Sequence, residues 1–135
     1  MKTYFNWSPE GQSAMCKIIY KGNAFIGSAH CHEEDLDFMS EMTGCTIAEA
    51  RAHIKMLQHI KNNELKPTLA TLNHIMASFE SSERYDRHNP EYKFIWRQIN
   101  DTTEKLDIIR TEIKESKENL KKYIDGKEAI YKKLR

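Results

Sequence analysis

The sequence predicts an α+β fold, in which a small N-terminal three-stranded antiparallel sheet is followed by a predominating, coiled-coil-like long antiparallel helical hairpin. Two observations predict this class. Residues 2–31 are rich in β-branched and aromatic side chains and are interrupted by turn compositions. In the last third of the 135-residue chain, apolar residues recur at alternating spacings of three and four. We expect a β-meander with a short acidic helix over 1–45 and a helical hairpin over 46–135, packed together as one unit.

The three predicted strands cover residues 3–7, 14–20 and 24–31. The last two flank Lys21-Gly22-Asn23, where Gly and Asn tolerate the positive φ that a tight hairpin demands. An isolated sheet of this size is marginally stable in water, so it must pack against a helix.

Two helix signals follow the strands. The acidic segment 33–42 can form a short helix with one apolar face, and Gly44 would end it. The residues Thr46-Ile47-Ala48-Glu49 then have the form of a capping box. In that motif the Thr hydroxyl accepts from the backbone N–H of the Glu, whose side chain reaches back to the N-cap. We therefore expect the main helix to begin at Thr46.

The first long helix is predicted over residues 47–79, and its apolar spacing slips once, between Ile60 and Leu65. Pro67 follows the slip and would remove the hydrogen bond to the Asn63 carbonyl. The helix then either kinks near residues 62–63 or breaks there. We favour one kinked helix, because no Gly or polar cluster ends it before Pro67.

The second long helix is predicted over residues 90–134, with Asn89 at the cap and Pro90 in the first turn. Its heptad seam needs a long partner, which the first helix supplies for most of its length. The seam consists of Tyr92, Ile95, Ile99, Thr102, Leu106, Ile109, Ile113, Ser116, Leu120, Tyr123, Lys127, Ile130 and Leu134. The end beyond that partner must pack against either the small sheet or a second copy of the chain. We expect a dimer through this end, where Lys127 replaces an apolar residue.

Charge and composition narrow the classes of function. Lys and Arg total 21 against 20 for Asp and Glu, so the near-neutral chain does not favour nucleic-acid binding. No apolar run reaches the roughly 18 residues of a membrane span, and the N-terminus lacks the pattern of a signal peptide. We therefore expect no membrane association and a cytoplasmic location. The three cysteines form no C-x-x-C pair, which is typical of reduced thiols.

An acidic stretch is the first candidate contact surface. Residues 31–45 include five acids and no Lys or Arg. The four acids chosen as candidate partner-binding residues are Glu33, Glu34, Asp35 and Asp37. Such a stretch is either an ordinary solvated surface or a surface that opposes a basic channel by charge complementarity.

A basic and aromatic patch at the tip of the hairpin is the second candidate. Its members are Arg84, Tyr85, Arg87, Lys93, Trp96 and Arg97. Exposed Trp and Arg side chains often anchor protein interfaces, and clustered cations can hold a phosphate or an acidic partner. The alternative is a solvated loop followed by a helix whose aromatic residues pack in the hairpin.

The segment around Cys31 is the densest set of potential ligands. If the strand persists, His30 and His32 lie on one face and could share a metal with Glu34 or Asp35. Cys31 could also act as a nucleophile with His32 as its base, although catalytic partners usually come from separated segments. No distant ligand pair and no cofactor motif completes either set. We therefore predict no catalytic residue, metal or cofactor.

Three segments, 16–32, 43–52 and 123–131, resemble small uncharacterised proteins encoded in phages and prophages of Firmicutes. The resemblance covers nearly the whole chain after the first strand. It carries no catalytic residues and implies a context: small phage accessory proteins often bind and block a host component, including defence systems such as CRISPR nucleases.

Together with the sequence pattern, this resemblance implies a non-enzymatic phage-type accessory protein that binds and inhibits a host component such as a CRISPR-type defence system. Either of the two surfaces described above could make the contact. The alternative function is binding of a small phosphate-bearing signal nucleotide. Its candidate ligands are Arg84, Arg87, Lys93 and Arg97, acting between subunits.

Overall fold

The structure is a computed structural model of the chain, and it describes residues 1–10, 13–30, 41–82, 86 and 88–134. The strands come first and the helices follow, so the predicted α+β class is confirmed. The elements are β1 (Lys2–Ser8), β2 (Ser13–Tyr20), β3 (Asn23–His30), α1 (Glu41–His59), a π-helical segment (Ile60–Leu65), α2 (Lys66–Glu80) and α3 (Pro90–Leu134).

The chain forms two compact units. Unit 1 combines Met1–Gln58 with Ile113–Arg135, and unit 2 is His59–Glu112. Helix α3 contributes its second half to unit 1 and its first half to unit 2. The predicted division between residues 45 and 46 falls inside α1.

The sheet of unit 1 is an antiparallel meander in the order β1-β2-β3. A two-residue turn joins β2 to β3, with φ of 48° at Lys21 and 79° at Gly22. Positive φ at both central residues matches the right-handed twist of the flanking strands. The prediction assigned positive φ to Gly and Asn, and for Asn it was wrong. Asn23 pairs with Tyr20 as the first residue of β3.

One face of the sheet is buried, and its members are small. Along β2, Ala14, Cys16 and Ile18 are at most 2% exposed, since alternate side chains point to one face. Cys16 lies opposite Gly27 of β3, where helix α1 approaches closely. A Cβ at Gly27 would overlap the Ala48 carbonyl oxygen and the Ala52 nitrogen of α1. Gly27 therefore lets α1 lie directly on β3.

The C-terminal part of α3 packs in the core of unit 1. Buried Ala29 and Ile47 form a cluster with Trp7 of β1. The residues of α3 packed against it are Leu120, Tyr123 and Ile124. We proposed that this end of α3 packs against either the small sheet or a second copy of the chain. In this cluster it packs against residues of the sheet.

Helix α1 begins earlier than expected. Gly44 is buried within it and does not end a preceding helix. Thr46 is not an N-cap, since its Oγ1 donates to the Met42 carbonyl at 2.7 Å. A Thr hydroxyl can make this i−4 bond in a helix interior, so the capping-box prediction was wrong. The predicted short helix over 33–42 lies outside the described residues except for Glu41 and Met42, which belong to α1.

The slip in apolar spacing is a π-helical segment. Helical structure runs through Ile60–Leu65 into α2, so the chain does not break before Pro67. The Lys66 backbone N–H donates to the Lys61 carbonyl, five residues back. The five-residue interval from Ile60 to Leu65 is the spacing that such i→i+5 bonding produces. The predicted continuous helix is confirmed, and the π-helical segment accounts for the slip in its apolar spacing.

The predicted seam of α3 is confirmed by burial. Every seam position from Tyr92 to Lys127 is buried or half-buried, whereas Ile130 is 56% exposed. The start at Pro90 is also as predicted, since the Asn89 Oδ1 accepts from the Glu91 N–H at 2.8 Å. Within unit 2, the Phe79 ring of α2 lies 5.9 Å from the Tyr92 ring. The hairpin of unit 2 is therefore closed by aromatic packing beside its loop.

Candidate functional sites

The first two turns of α3 carry an exposed aromatic and basic surface, which we call the tip surface. It consists of Lys93, Phe94, Trp96 and Arg97, which lie away from the buried seam. Phe94 is 59% and Trp96 49% exposed. In a heptad with Tyr92, Ile95 and Ile99 inside, the other three members take outward positions and Trp96 a position beside the seam, so the two rings lie about 160° apart around the helix.

The predicted tip residues are only partly described. Lys93, Trp96 and Arg97 share the tip surface, whereas Arg84, Tyr85 and Arg87 lie outside the described residues. Phe94 was not among the predicted tip residues. Its position two residues after seam residue Tyr92 was the signal that it points outward.

Asp86, His88 and Asn89 form local hydrogen bonds just before the tip surface. The Asp86 carboxylate accepts from the His88 N–H at 2.9 Å, and the Asp86 carbonyl accepts from the Asn89 N–H at 3.0 Å. These bonds lead the chain into the cap at Asn89. In the part of the chain that the structure describes, Lys93 and Arg97 form no ion pair.

The acidic candidate surface cannot be placed. Glu33, Glu34, Asp35 and Asp37 all lie outside the described residues, as do Cys31 and His32. His30 ends β3 and is exposed. Among residues 1–10, 13–30, 41–82, 86 and 88–134, no three His, Cys, Asp or Glu side chains cluster as a metal site would require.

A second site, which we call the basic cleft, lies in unit 1 along β3. Its volume is about 370 Å³. It is lined by Gly27, Ser28, Arg51, Ile54, Lys55, Gln58 and Lys117. Three cations thus share one opening, and no carboxylate is among these lining residues.

Two of the cations are held by the edge of the sheet. The Arg51 Nη1 donates to the Ser28 carbonyl at 2.7 Å, and the Lys55 Nζ donates to the Ile26 carbonyl at 2.6 Å. Carbonyls two residues apart on a strand point the same way, and cations four apart on a helix share a face. The spacing of the two carbonyls on β3 therefore matches the spacing of the two cations on α1. The close approach of the helix to the strand at Gly27 brings donors and acceptors within hydrogen-bond distance.

Sequence reasoning missed the basic cleft. Its cations come from α1 and from α3, and the strand carbonyls that hold two of them have no signature in the sequence. Two signals could have pointed to it. Gly27 in a strand often marks a close backbone approach. Arg51 and Lys55 are like charges at i,i+4, which disfavour a helix unless another group holds them.

A further cleft of about 310 Å³ lies between α1 and α3 in unit 1. Its lining residues are Thr46, Ala50, His53, Ser116, Asn119, Leu120 and Tyr123. The seam position Ser116 leaves space there that a larger side chain would fill. The cleft has a mainly apolar surface, and none of these lining residues is a Lys or an Arg.

The two described cysteines, Cys16 and Cys45, are free thiols, as predicted. Burial raises the pKa of the Cys16 thiol, and the negative charge of Glu49 raises it further. Burial and then Glu41 raise the pKa of Cys45. Both thiols therefore stay protonated at neutral pH, the opposite of what an activated nucleophile requires.

No described helix is both long enough and apolar enough to cross a lipid bilayer. A scan of protein-family models, a search of curated proteins and a search of solved structures each found no match to this chain.

Proposed function

We propose that the protein is a non-enzymatic binding protein that attaches to a host protein through the tip surface and inhibits it in the host cytoplasm. The exposure of Phe94 and Trp96 carries this proposal. Burying the roughly 100 Å² that each ring still exposes would contribute on the order of 5 kcal/mol for the pair. That is a large part of the roughly 8 kcal/mol of a micromolar complex, before the cost of association.

The chemistry of the tip surface favours an acidic partner. Lys93 and Arg97 lie between the two rings around the helix, and Trp and Arg are among the residues enriched at interface hot spots. A partner with carboxylates between two apolar patches would satisfy both features. The resemblance to phage accessory proteins makes a bacterial defence protein, such as a CRISPR nuclease, the first host component to test. Inhibition would be steric or allosteric.

The test compares matched variants in affinity capture from a Firmicutes lysate, followed by affinity measurement with the purified partner. Phe94→Ser with Trp96→Ala should weaken binding by about a hundredfold or more, since two anchors are lost. Ile108→Ser removes another exposed apolar side chain of α3, 51% exposed, and should leave the affinity unchanged. If the double variant binds the partner as tightly as wild type, the tip surface is not the contact.

Self-association through the end of α3 belongs to the same proposal. Ile130 is a seam position and is 56% exposed, so a second copy could cover it. Light scattering on a size-exclusion column tests this directly. We expect a dimer for the wild type and a monomer for Ile130→Lys. A monomeric wild type at high concentration would exclude the dimer and leave the tip-surface proposal standing.

The alternative function, a signal-nucleotide binder using Arg84, Arg87, Lys93 and Arg97, stays a prediction. The structure describes only the last two of these residues. A different set of cations, in unit 1, offers a better-defined phosphate site.

A further inference from the structure

We propose that the basic cleft of unit 1 binds the phosphate groups of a small anionic ligand such as a nucleotide. The inference does not depend on the proposed function, because it uses other residues and other chemistry. The central observation is that Arg51, Lys55 and Lys117 line one opening whose other described lining residues are uncharged.

The charge of the cleft is uncompensated within the described part of the chain. Arg51 and Lys55 donate to backbone carbonyls, and neither of them nor Lys117 forms an ion pair there. Carbonyl oxygens carry only partial charges, so like charges in one cleft still repel each other. A multivalent anion such as a phosphate would relieve this repulsion.

The donors are also held in place before a ligand binds. The hydrogen bonds to the Ser28 and Ile26 carbonyls fix the long side chains of Arg51 and Lys55. Each such bond removes rotamer freedom that binding would otherwise have to remove. The guanidinium has five N–H groups and the ammonium three, so both keep donors for an anion. An Arg fork is suited to the paired oxygens of a phosphate.

The size and remaining lining suit a small molecule. A volume of about 370 Å³ falls within the range of small-ligand sites, roughly 300–1,000 Å³. Ile54 offers an apolar contact, and Gln58 offers an amide that can donate and accept. These groups could contact the part of the ligand that carries the phosphates.

The test uses pyrophosphate and a panel of nucleoside di- and triphosphates at low salt, with heteronuclear NMR and calorimetry. We expect saturable binding to the full chain and chemical-shift changes at the amides of Gly27 and Ser28. Lys117→Gln should weaken binding about tenfold or more, the loss of one charge-assisted contact. It should not change the melting temperature without ligand, because Lys117 makes no ion pair or hydrogen bond to described residues.

Lys133→Gln is the matched control, since it removes the same charge from an exposed position of α3. It should bind the panel like the wild type. If both variants weaken phosphate binding equally, the attraction is non-specific and the proposed site is wrong. It is also wrong if binding is absent at millimolar concentrations, if the shift changes lie elsewhere in the chain, or if binding is confined to duplex nucleic acid or anionic vesicles. Trp96→Ala should leave phosphate binding unchanged, which separates this test from that of the tip surface.

Discussion

Replacing Gly27 by Ala tests the close approach of α1 to β3. The added methyl group would overlap the Ala48 carbonyl oxygen and the Ala52 nitrogen. Both are backbone atoms, so no side chain can turn aside and the helix itself must move. Overpacking of this kind costs about 1–3 kcal/mol. Moving α1 also weakens the hydrogen bonds of Arg51 and Lys55 to the strand, each worth about 1 kcal/mol. We expect the free energy of unfolding to fall by about 3–5 kcal/mol.

The assay is urea denaturation followed by far-UV circular dichroism, with Gly126→Ala as the control. A Cβ at Gly126 would meet no atom within 4 Å, and the residue lies inside α3. Ala is the better helix former, so this variant should gain about 0.5–1 kcal/mol. The two identical chemical changes should therefore have opposite signs. An unchanged urea midpoint for Gly27→Ala would refute the packing of α1 on β3.

Three further predictions concern the seam of α3, the turn between β2 and β3, and the pH dependence of stability. Leu106→Ala, at a position 2% exposed, should lose about 2–5 kcal/mol in urea denaturation, whereas Ile108→Ala should change stability by less than about 1 kcal/mol; equal losses would contradict the seam. Lys21→Asn should raise stability by about 0.5 kcal/mol, because Asn tolerates positive φ better; a loss would show that the Lys21 contact with the Tyr20 ring matters more. The raised pKa of Cys16 means that the unfolded chain loses the thiol proton more readily, so stability should fall as pH rises above the ordinary value of 9.0. Cys16→Ala should flatten that fall above pH 9.0, and an equally steep fall would contradict the assignment.

The parts of the fold that repeat were predictable. The seam that begins at Tyr92 repeats the same apolar spacing over many helical turns. Such a repeat rarely arises by chance, and the prediction of the helix does not depend on any single residue. The strands were similarly marked by composition and by the turn around Gly22. Periodic signals of this kind survive because they reflect which side of an element faces the core.

Signals that rest on one residue were less reliable. The hydroxyl of Thr46 can cap a helix or bond back within one, and the sequence is the same in either case. The α-helix continues because Thr43 and Gly44 are buried by tertiary packing. Likewise, the slip in apolar spacing between Ile60 and Leu65 indicated an irregular helix. Only the backbone hydrogen bonds identify the segment as π-helical.

The sites were the least predictable part. The tip surface comes from one helix, so three of its members were found from local composition. The basic cleft needs Lys117 to meet side chains from α1 more than fifty residues earlier in the chain. It also uses carbonyls of β3, which every residue possesses. No local pattern encodes such a meeting, and the small size of Gly27 is what permits it.

The hydrogen bonds from α1 also give the sheet two unlike edges. At β3, two outward carbonyls are already occupied by Arg51 and Lys55. At β1, no side chain of a described residue bonds to the backbone. Among the described residues, β1 therefore offers more unoccupied backbone groups than β3, and a strand from another molecule would add more readily at β1. Fibril growth needs two open edges per molecule. The two cations of α1 thus make β3 the less favourable edge for strand-mediated association.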